Sequence, residues 1–459
     1  MIVAAGTGQQ SATGLAIRTD PADPFDPIAV YAAGVEAGLE ASLWIHSSDD
    51  LALVGLGRAW FVEADGADRF TEADQAWRSV AATLGPDDPT LPRGVGPVLM
   101  GGLGFTGRRP VPGDIWESFG AASLVLPEFI AATTGGASWI TTTTAEGAAP
   151  RGTRRWDRIL ARARDIAPAR GALVARPVST PLTIVEEQPD EDLWCRTVGL
   201  FAGAVGRGRL DKVVLARRVI MASPADLDVE NGLRRLAASA PESTVFAFRR
   251  GGRTFLGATP ERLIRTDGRE FRTVAIAGSV GRGADDVADA ALGAALLSSG
   301  KEREEHAVVV DALRDRLTPI SERLTIEAEP RVLTLRHVQH LITEIDGTVR
   351  EREGLLGLAA RIHPTPAVGG APRELALGLI DEHEGFDRGW YAGPIGWLGA
   401  EGDGELMVAL RSGVVDQTRV TLFAGCGIVA DSDPDLEWEE SRMKLRAVAS
   451  ALGRPGDEP

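Results

Sequence analysis

The chain has 459 residues, 44% hydrophobic and 25% charged, the proportions of a globular protein of one large domain or up to about three smaller ones. Its 49 basic residues against 65 acidic ones give a formal net charge of −16, and there is no basic run, which excludes nucleic acid and anionic membrane surfaces as expected partners but not a small anion held in a local basic pocket. The two cysteines, Cys195 and Cys426, exclude a disulfide framework and a cysteine-rich zinc site. No stretch reaches the ~18 apolar residues of a membrane span. The N-terminal MIVAAGTGQQSATG lacks the basic-then-apolar pattern of a signal peptide, so the cytoplasm is the expected location.

In chain order, β-prone apolar runs come first: LALVGL (51–56), ASLVLPEFI (122–130) and SWITTTT (138–144). The segment 145–181, rich in Ala, Pro, Gly and Arg, reads as a connection around one amphipathic helix at 154–166. A helical pattern follows at 190–204, then strand-like KVVLARRVIM (212–221) and TVFAFR (244–249). Helical periodicity covers 286–316, VLTLRHVQHLITEI reads as extended, and a further helix is expected at 372–383. Strand-like ELMVALRSGVV (405–415) and RVTLFAG (419–425) are separated by a hairpin-length gap, and a helix at 434–452 closes the pattern. No internal repeat is present. The mixture predicts an α+β protein with large, mostly antiparallel sheets. Residues 1–190 form the less informative N-terminal part and 191–455 the part dense in chemistry. One compact domain with sheets crossing the junction is expected.

Asp433-Pro434 is a helix-start signal, because Asp can accept from free N–H groups of the first turn and Pro is pre-set for the first helical position. From that start Glu437, Glu440 and Lys444 share one helix face. A solvated face with a Glu440–Lys444 pair would look the same, so a second cluster is needed to decide. Glu302 and Glu305 supply one, again three apart on a predicted helix. A Mg²⁺ site needs one or two carboxylates, waters and an anionic ligand, and two such helices could offer them. Lys212 opens an apolar strand, where a lysine placed in a pocket can act as a base. Glu261 sits in the apolar FLGATPERL, where a lone carboxyl can be kept protonated and act as an acid. Arg411, read as lying inside the strand ELMVALRSG, is suited to a bidentate grip on a carboxylate.

Two lookalikes fail. Gly425-Cys426-Gly427 with Ala430 fits the dinucleotide fingerprint, but no βαβ unit follows, and the glycines better suit close approach of backbone to a ligand. His337 and His340 have metal-pair spacing only on a helix, and their surroundings read as extended, which leaves His340 as a pocket-lining residue. Neither a G-x-S-x-G elbow nor a P-loop occurs.

From about residue 195 onward the chain resembles the chorismate-utilising enzymes, which include isochorismate, salicylate, anthranilate and aminodeoxychorismate synthases. The matching pieces, in the family's order, are KVVLAR, FLGATPERL, AIAGSVGRG, SGKEREEHAVVVD, VQHLITEIDG, HPTPAVGGAP, RGWYAGPIGW, VALRSG, AGCGIV and SDPDLEWEESRMK. VGPVLMGGLGF (95–105) resembles a Gly-rich strand of the family's N-terminal half.

The resemblance implies a large sandwich of antiparallel sheets with outer helices, the anthranilate synthase component I-like fold. It implies chorismate as substrate and Mg²⁺ as cofactor. Glu305 and Glu440 would hold the metal, with Glu302 and Glu437 beside them, bound directly or through water. Lys444, Arg411 and Tyr391 would contact substrate carboxylates. Gly278, Ser279, Gly425 and Gly427 would add backbone or hydroxyl contacts, with His340 near the ring. Lys212 resembles the base that activates water in the isochorismate and salicylate branches, and Glu261 matches the acid opposite it. Aminating members lack that lysine, so no glutamine amidotransferase partner is expected, and a monomer is. Ala367 resembles the isochorismate synthases, whereas salicylate and anthranilate synthases typically carry Thr there. The implied activity is isochorismate synthesis for menaquinone or a siderophore. The alternatives are a salicylate synthase and a chorismate-binding subunit that needs a partner. Gly369 and Cys426 depart from the family pattern, Cys426 standing where Ala is usual.

Overall fold

The computed structural model describes residues 14–84, 90–145, 153–171, 180–336, 338–351 and 353–456. His337 and much of the 145–181 connection lie outside the described residues. Two large sheets carry the fold, one of 13 strands and one of 10. Their pairings are antiparallel except where the two-residue strand Arg454–Pro455 runs parallel to Pro181–Leu182. Both sheets draw strands from either side of residue 190. Ala41–His46 pairs with Thr244–Arg250 in the first, and Val98–Leu103 with Pro394–Gly399 in the second.

Side chains alternate across a strand, and the core uses both faces. In the larger sheet Trp44, Leu53, Phe246, Phe255 and Phe423 join a cluster that also holds Leu263, Phe271 and Trp397 of the other sheet. Their chain neighbours Leu43, Val54, Ala247, Leu256 and Leu422 pack instead with Ile28, Leu233 and Leu445 of outer helices. Each such side chain buried is worth roughly 1.5–3 kcal/mol, so this two-sided burial fixes register as well as stability.

Three sequence-derived elements break where local chemistry demands it. The 122–130 run divides into Ala122–Leu126 and Phe129–Thr134, with Pro127 between them lacking the N–H a ladder needs. The 286–316 pattern is two helices, Asp286–Ser298 and Gly300–Leu317, because Ser299 adopts an extended conformation and its side chain caps the N–H of Glu302. The 405–415 run is not one strand. Gly404–Val408 belongs to the smaller sheet and Ser412–Asp416 to the larger, and the chain changes sheets between them.

A second crossover lies beside that one. Arg253–Thr259 is in the larger sheet and Arg262–Asp267 in the smaller, joined through Pro260 and Glu261. The two crossovers are tied by backbone hydrogen bonds, Val408 N–H to Glu261 O at 2.9 Å and Ala258 N–H to Arg411 O at 3.2 Å. The sheets part here, and the parting opens a cleft. Among the described residues no helix is long and apolar enough to cross a membrane.

Candidate active site

The cleft holds about 860 Å³ including its solvent-open mouth. Every site residue named from the sequence lines it: Lys212, Glu261, Gly278, Ser279, Glu302, Glu305, His340, Ala367, Tyr391, Arg411, Gly425, Gly427, Glu437, Glu440 and Lys444.

Arg411 reaches it by a different route from the one expected. It is not inside a strand; it sits at the sheet crossover with φ 48°, a left-handed conformation costly for a residue with a Cβ. Its guanidinium donates to Nε2 of His340 at 3.3 Å. His340 donates from Nδ1 to the Gly278 carbonyl at 3.2 Å, which leaves Nε2 free to accept, and Ser279 Oγ lies 2.9 Å from the same Nδ1. Burial, then Arg411 and Lys444, push His340 down to about 3, so it is neutral at working pH. Gly278 occupies a β-bulge with φ 76°, which turns the Ser279 N–H toward Glu302 at 2.9 Å.

The carboxylates arrive on two helices. Gly300–Leu317 brings Glu302 and Glu305, and Pro434–Leu452 brings Glu437 and Glu440. Asp433 caps the second helix through the N–H groups of Asp435 and Leu436, with Pro434 at its first position. That cap sets the phase that sends Glu437 and Glu440 into the cleft. Trp438, one residue on, is buried and stacks beneath the Arg217 guanidinium at 3.6 Å.

Cations answer these acids. Lys212, 1% exposed, donates to Glu305 at 2.7 Å. Lys444 lies 2.7 Å from Glu440 and donates to the Gly425 carbonyl at 2.7 Å. Burial, then repulsion from Glu440, pushes Glu437 up to about 7. Burial, then Glu305, raises Glu302 as well. Glu261 is pushed up to about 7 by burial, against the pull of Lys212, Arg411 and Lys444. Four glutamates with all-oxygen donors, two of them resisting ionisation, fit a hard divalent cation better than they fit one another. Cys426 lies close to Glu437 and Glu440, but its buried thiol donates to the Glu437 carbonyl at 3.3 Å.

Glycines keep the floor low. A Cβ on Gly427 would stand 2.6 Å from Glu305 Oε1 and 2.6 Å from Lys212 Cε. One on Gly425 would meet the Tyr391 hydroxyl at 3.1 Å. Tyr391 stacks on Phe423 with ring centroids 5.2 Å apart.

Sequence reasoning missed Arg388 and Lys301, which also line the cleft. For Arg388 a signal was present, a charge four residues after Glu384 at the head of the apolar run GWYAGPIGW.

The described geometry agrees with what known proteins resemble this chain. The family described as chorismate binding enzyme matches residues 3–453. The salicylate biosynthesis isochorismate synthase of Pseudomonas aeruginosa is 37% identical over 444 residues, covering 95% of this chain and 89% of that protein. The structure of MenF, the menaquinone-specific isochorismate synthase of Escherichia coli, matches with a TM-score of 0.76 and 27% identity, over 96% of this chain and 95% of that one. Anthranilate synthase component I of Streptococcus pneumoniae shares the fold at a TM-score of 0.69 and 21% identity, over 87% and 92% of the two chains. With a family match over nearly its whole length, and the cleft built from the motifs that carry the likeness, this chain belongs to the chorismate binding enzymes.

Proposed function

We propose that the chain is an isochorismate synthase, a hydroxymutase that adds water at C2 of chorismate and removes the C4 hydroxyl. The observation that carries this reading is the pairing, in one cleft, of the buried amine of Lys212 with the buried carboxyl of Glu261, held near neutrality. Water addition with loss of a hydroxyl needs a base and an acid, and both types are here.

The substrate's two carboxylates suit the cationic groups Arg411 and Lys444, with the Tyr391 hydroxyl beside them. Neutral His340 accepts from Arg411 and so keeps the guanidinium turned into the cleft. Lys212 takes a proton from the water whose oxygen bonds to C2. Both ring double bonds shift, from C1=C2 to C1=C6 and from C5=C6 to C4=C5, the C4–O bond breaks, and Glu261 gives its proton to the departing hydroxyl. One water enters and one leaves, so the net reaction is an isomerisation. Mg²⁺ held by Glu305 and Glu440, with Glu302 and Glu437 beside them, would neutralise the ring carboxylate and orient the ring.

Ala367 favours retention of the enolpyruvyl group over its elimination. Relatives named for salicylate biosynthesis and for menaquinone both match, so the product serves an isochorismate-consuming enzyme of either kind. Chromatography of chorismate incubated with the pure chain and Mg²⁺ is the test. Isochorismate alone is expected. Salicylate with pyruvate would replace this reading with that of a salicylate synthase, and absence of turnover by the lone chain would overturn it.

A further inference from the structure

The strand Lys212–Ala222 has an unusual edge. On one side it pairs with Arg419–Ile428 from Val213 to Ala222. On the other it pairs with Gly370–Ala371 at Lys212 and Val213, and with Pro181–Gln188 only from Arg218 onward. Among the described residues no strand pairs with 214–217 on that edge, yet these residues are buried and their backbone groups need partners.

Side chains fill part of the gap. Glu384 accepts from the Ala216 N–H at 2.7 Å. Arg388 donates from Nη2 to the Val214 carbonyl at 2.8 Å and from Nη1 to the Val368 carbonyl at 2.8 Å. The two side chains lock together, Arg388 Nε to Glu384 Oε2 at 2.8 Å and Nη2 to Glu384 Oε1. The Val214 N–H meanwhile donates to Gly369 O at 3.0 Å. The Arg388 backbone carbonyl accepts from the Tyr391 N–H at 2.9 Å, and its guanidinium lies 4.2 Å from the Phe105 ring centroid. One ion pair thus touches the strand that carries Lys212, the wall that carries Ala367 and Val368, and the turn that carries Tyr391.

We propose that Glu384 and Arg388 are positioning residues, a side-chain substitute for a missing strand that sets the Lys212 strand against the Ala367–Val368 wall. This rests on the isochorismate synthase reading for its kinetic consequence, not for its geometry. A buried pair is often no more stabilising than apolar residues of like volume, so charge alone gives little reason for it. The planar fork of arginine can serve four acceptors in fixed directions, and a lysine ammonium cannot. If the pair merely neutralised a buried glutamate, lysine would serve as well.

The experiment compares wild type, Arg388→Lys and Glu384→Gln/Arg388→Met. It reads kcat and KM for chorismate with Mg²⁺, the thermal midpoint, and hydrogen exchange of the Ala216 amide. Both variants should lose roughly tenfold or more in kcat, with KM little changed and the thermal transition retained. Their Ala216 amide should exchange faster than in wild type. Wild-type kcat in Arg388→Lys, or unaltered exchange at Ala216 in the double variant, would overturn the proposal. If the double variant does not fold, Glu384→Gln alone carries the same expectation for kcat, and wild-type kcat there overturns it equally. Wild type that leaves chorismate unchanged would sink the functional reading, while the Ala216 exchange would still decide the positioning.

Discussion

Lys212 Nζ lies 2.7 Å from Oε1 of Glu305, so the proposed base is paired directly with a proposed metal ligand. Both belong to one cleft but to different elements, a strand start and a helix. Removing the amine should therefore touch chemistry before stability. Lys212→Ala is expected to lower kcat about 10²–10⁴-fold, the usual worth of a general base, with chorismate still bound. Isochorismate formation measured beside calorimetric binding of chorismate checks both halves.

Gly427 makes room for that pair. An alanine methyl there would stand 2.6 Å from Glu305 Oε1 and from Lys212 Cε, nearer than real contacts allow. Gly427→Ala should cost about 1–3 kcal/mol of stability by overpacking and displace the two charged groups. Since an ångström of misplacement can cost about a hundredfold in rate, kcat should fall far more than the thermal midpoint suggests. Wild-type kcat in this variant would count against the role given to the pair.

Glu261 ties rate and stability to pH. Its carboxyl is raised from 4.5 to about 7 by burial, so the acid form that can donate a proton is lost as pH rises through about 7. Above that pH, kcat should decline by about tenfold per unit. Stability moves the same way. A folded-state pKa above the unfolded one contributes stability that is complete below pH 4.5 and lost as pH rises through about 7, in all about 3 kcal/mol at most. Glu261→Gln should abolish turnover yet flatten this dependence. Melting curves at pH 5 and 8 should show the variant gaining on wild type at the higher pH.

The four glutamates predict a metal effect visible without turnover. Glu302 and Glu437 are both raised by burial and by a neighbouring carboxylate, a cost that a bound divalent cation would relieve. Saturating Mg²⁺ should raise the melting temperature of wild type, by about 3 kcal/mol of stability at a hundred times its Kd. Glu440→Gln should lose most of that increment, and a chelator should remove both the increment and the activity. An equal rise in wild type and Glu440→Gln would show the cation binding elsewhere.

The local signals were strong in the sequence. Asp433-Pro434 fixed the start of the last helix, and its phase put Glu437, Glu440 and Lys444 on one face while Trp438 turned into the core. Apolar β-prone runs and a hairpin-length gap were enough for mostly antiparallel sheets, because so short a gap leaves no room for a parallel crossover. Chain-neighbour patterns cannot say which sheet a strand joins. ELMVALRSG reads as one apolar run, yet it crosses between sheets, and only that crossing puts Arg411 at φ 48° facing His340. The same holds for Glu261, whose apolar run FLGATPERL suggests a raised pKa but does not bury it. Its burial, and hence its shifted pKa, comes from the two crossovers lying side by side. Glu384 and Arg388 were missed because their partners are backbone groups of a strand more than 160 residues away, at separations of 168 and 174. Sequence alone thus determined the helices and strands that carry a clear local pattern and which of their side chains share a face, since those depend on neighbours along the chain. Tertiary structure alone decided which faces meet, which charges lose water, and which backbone edges are left for side chains to complete.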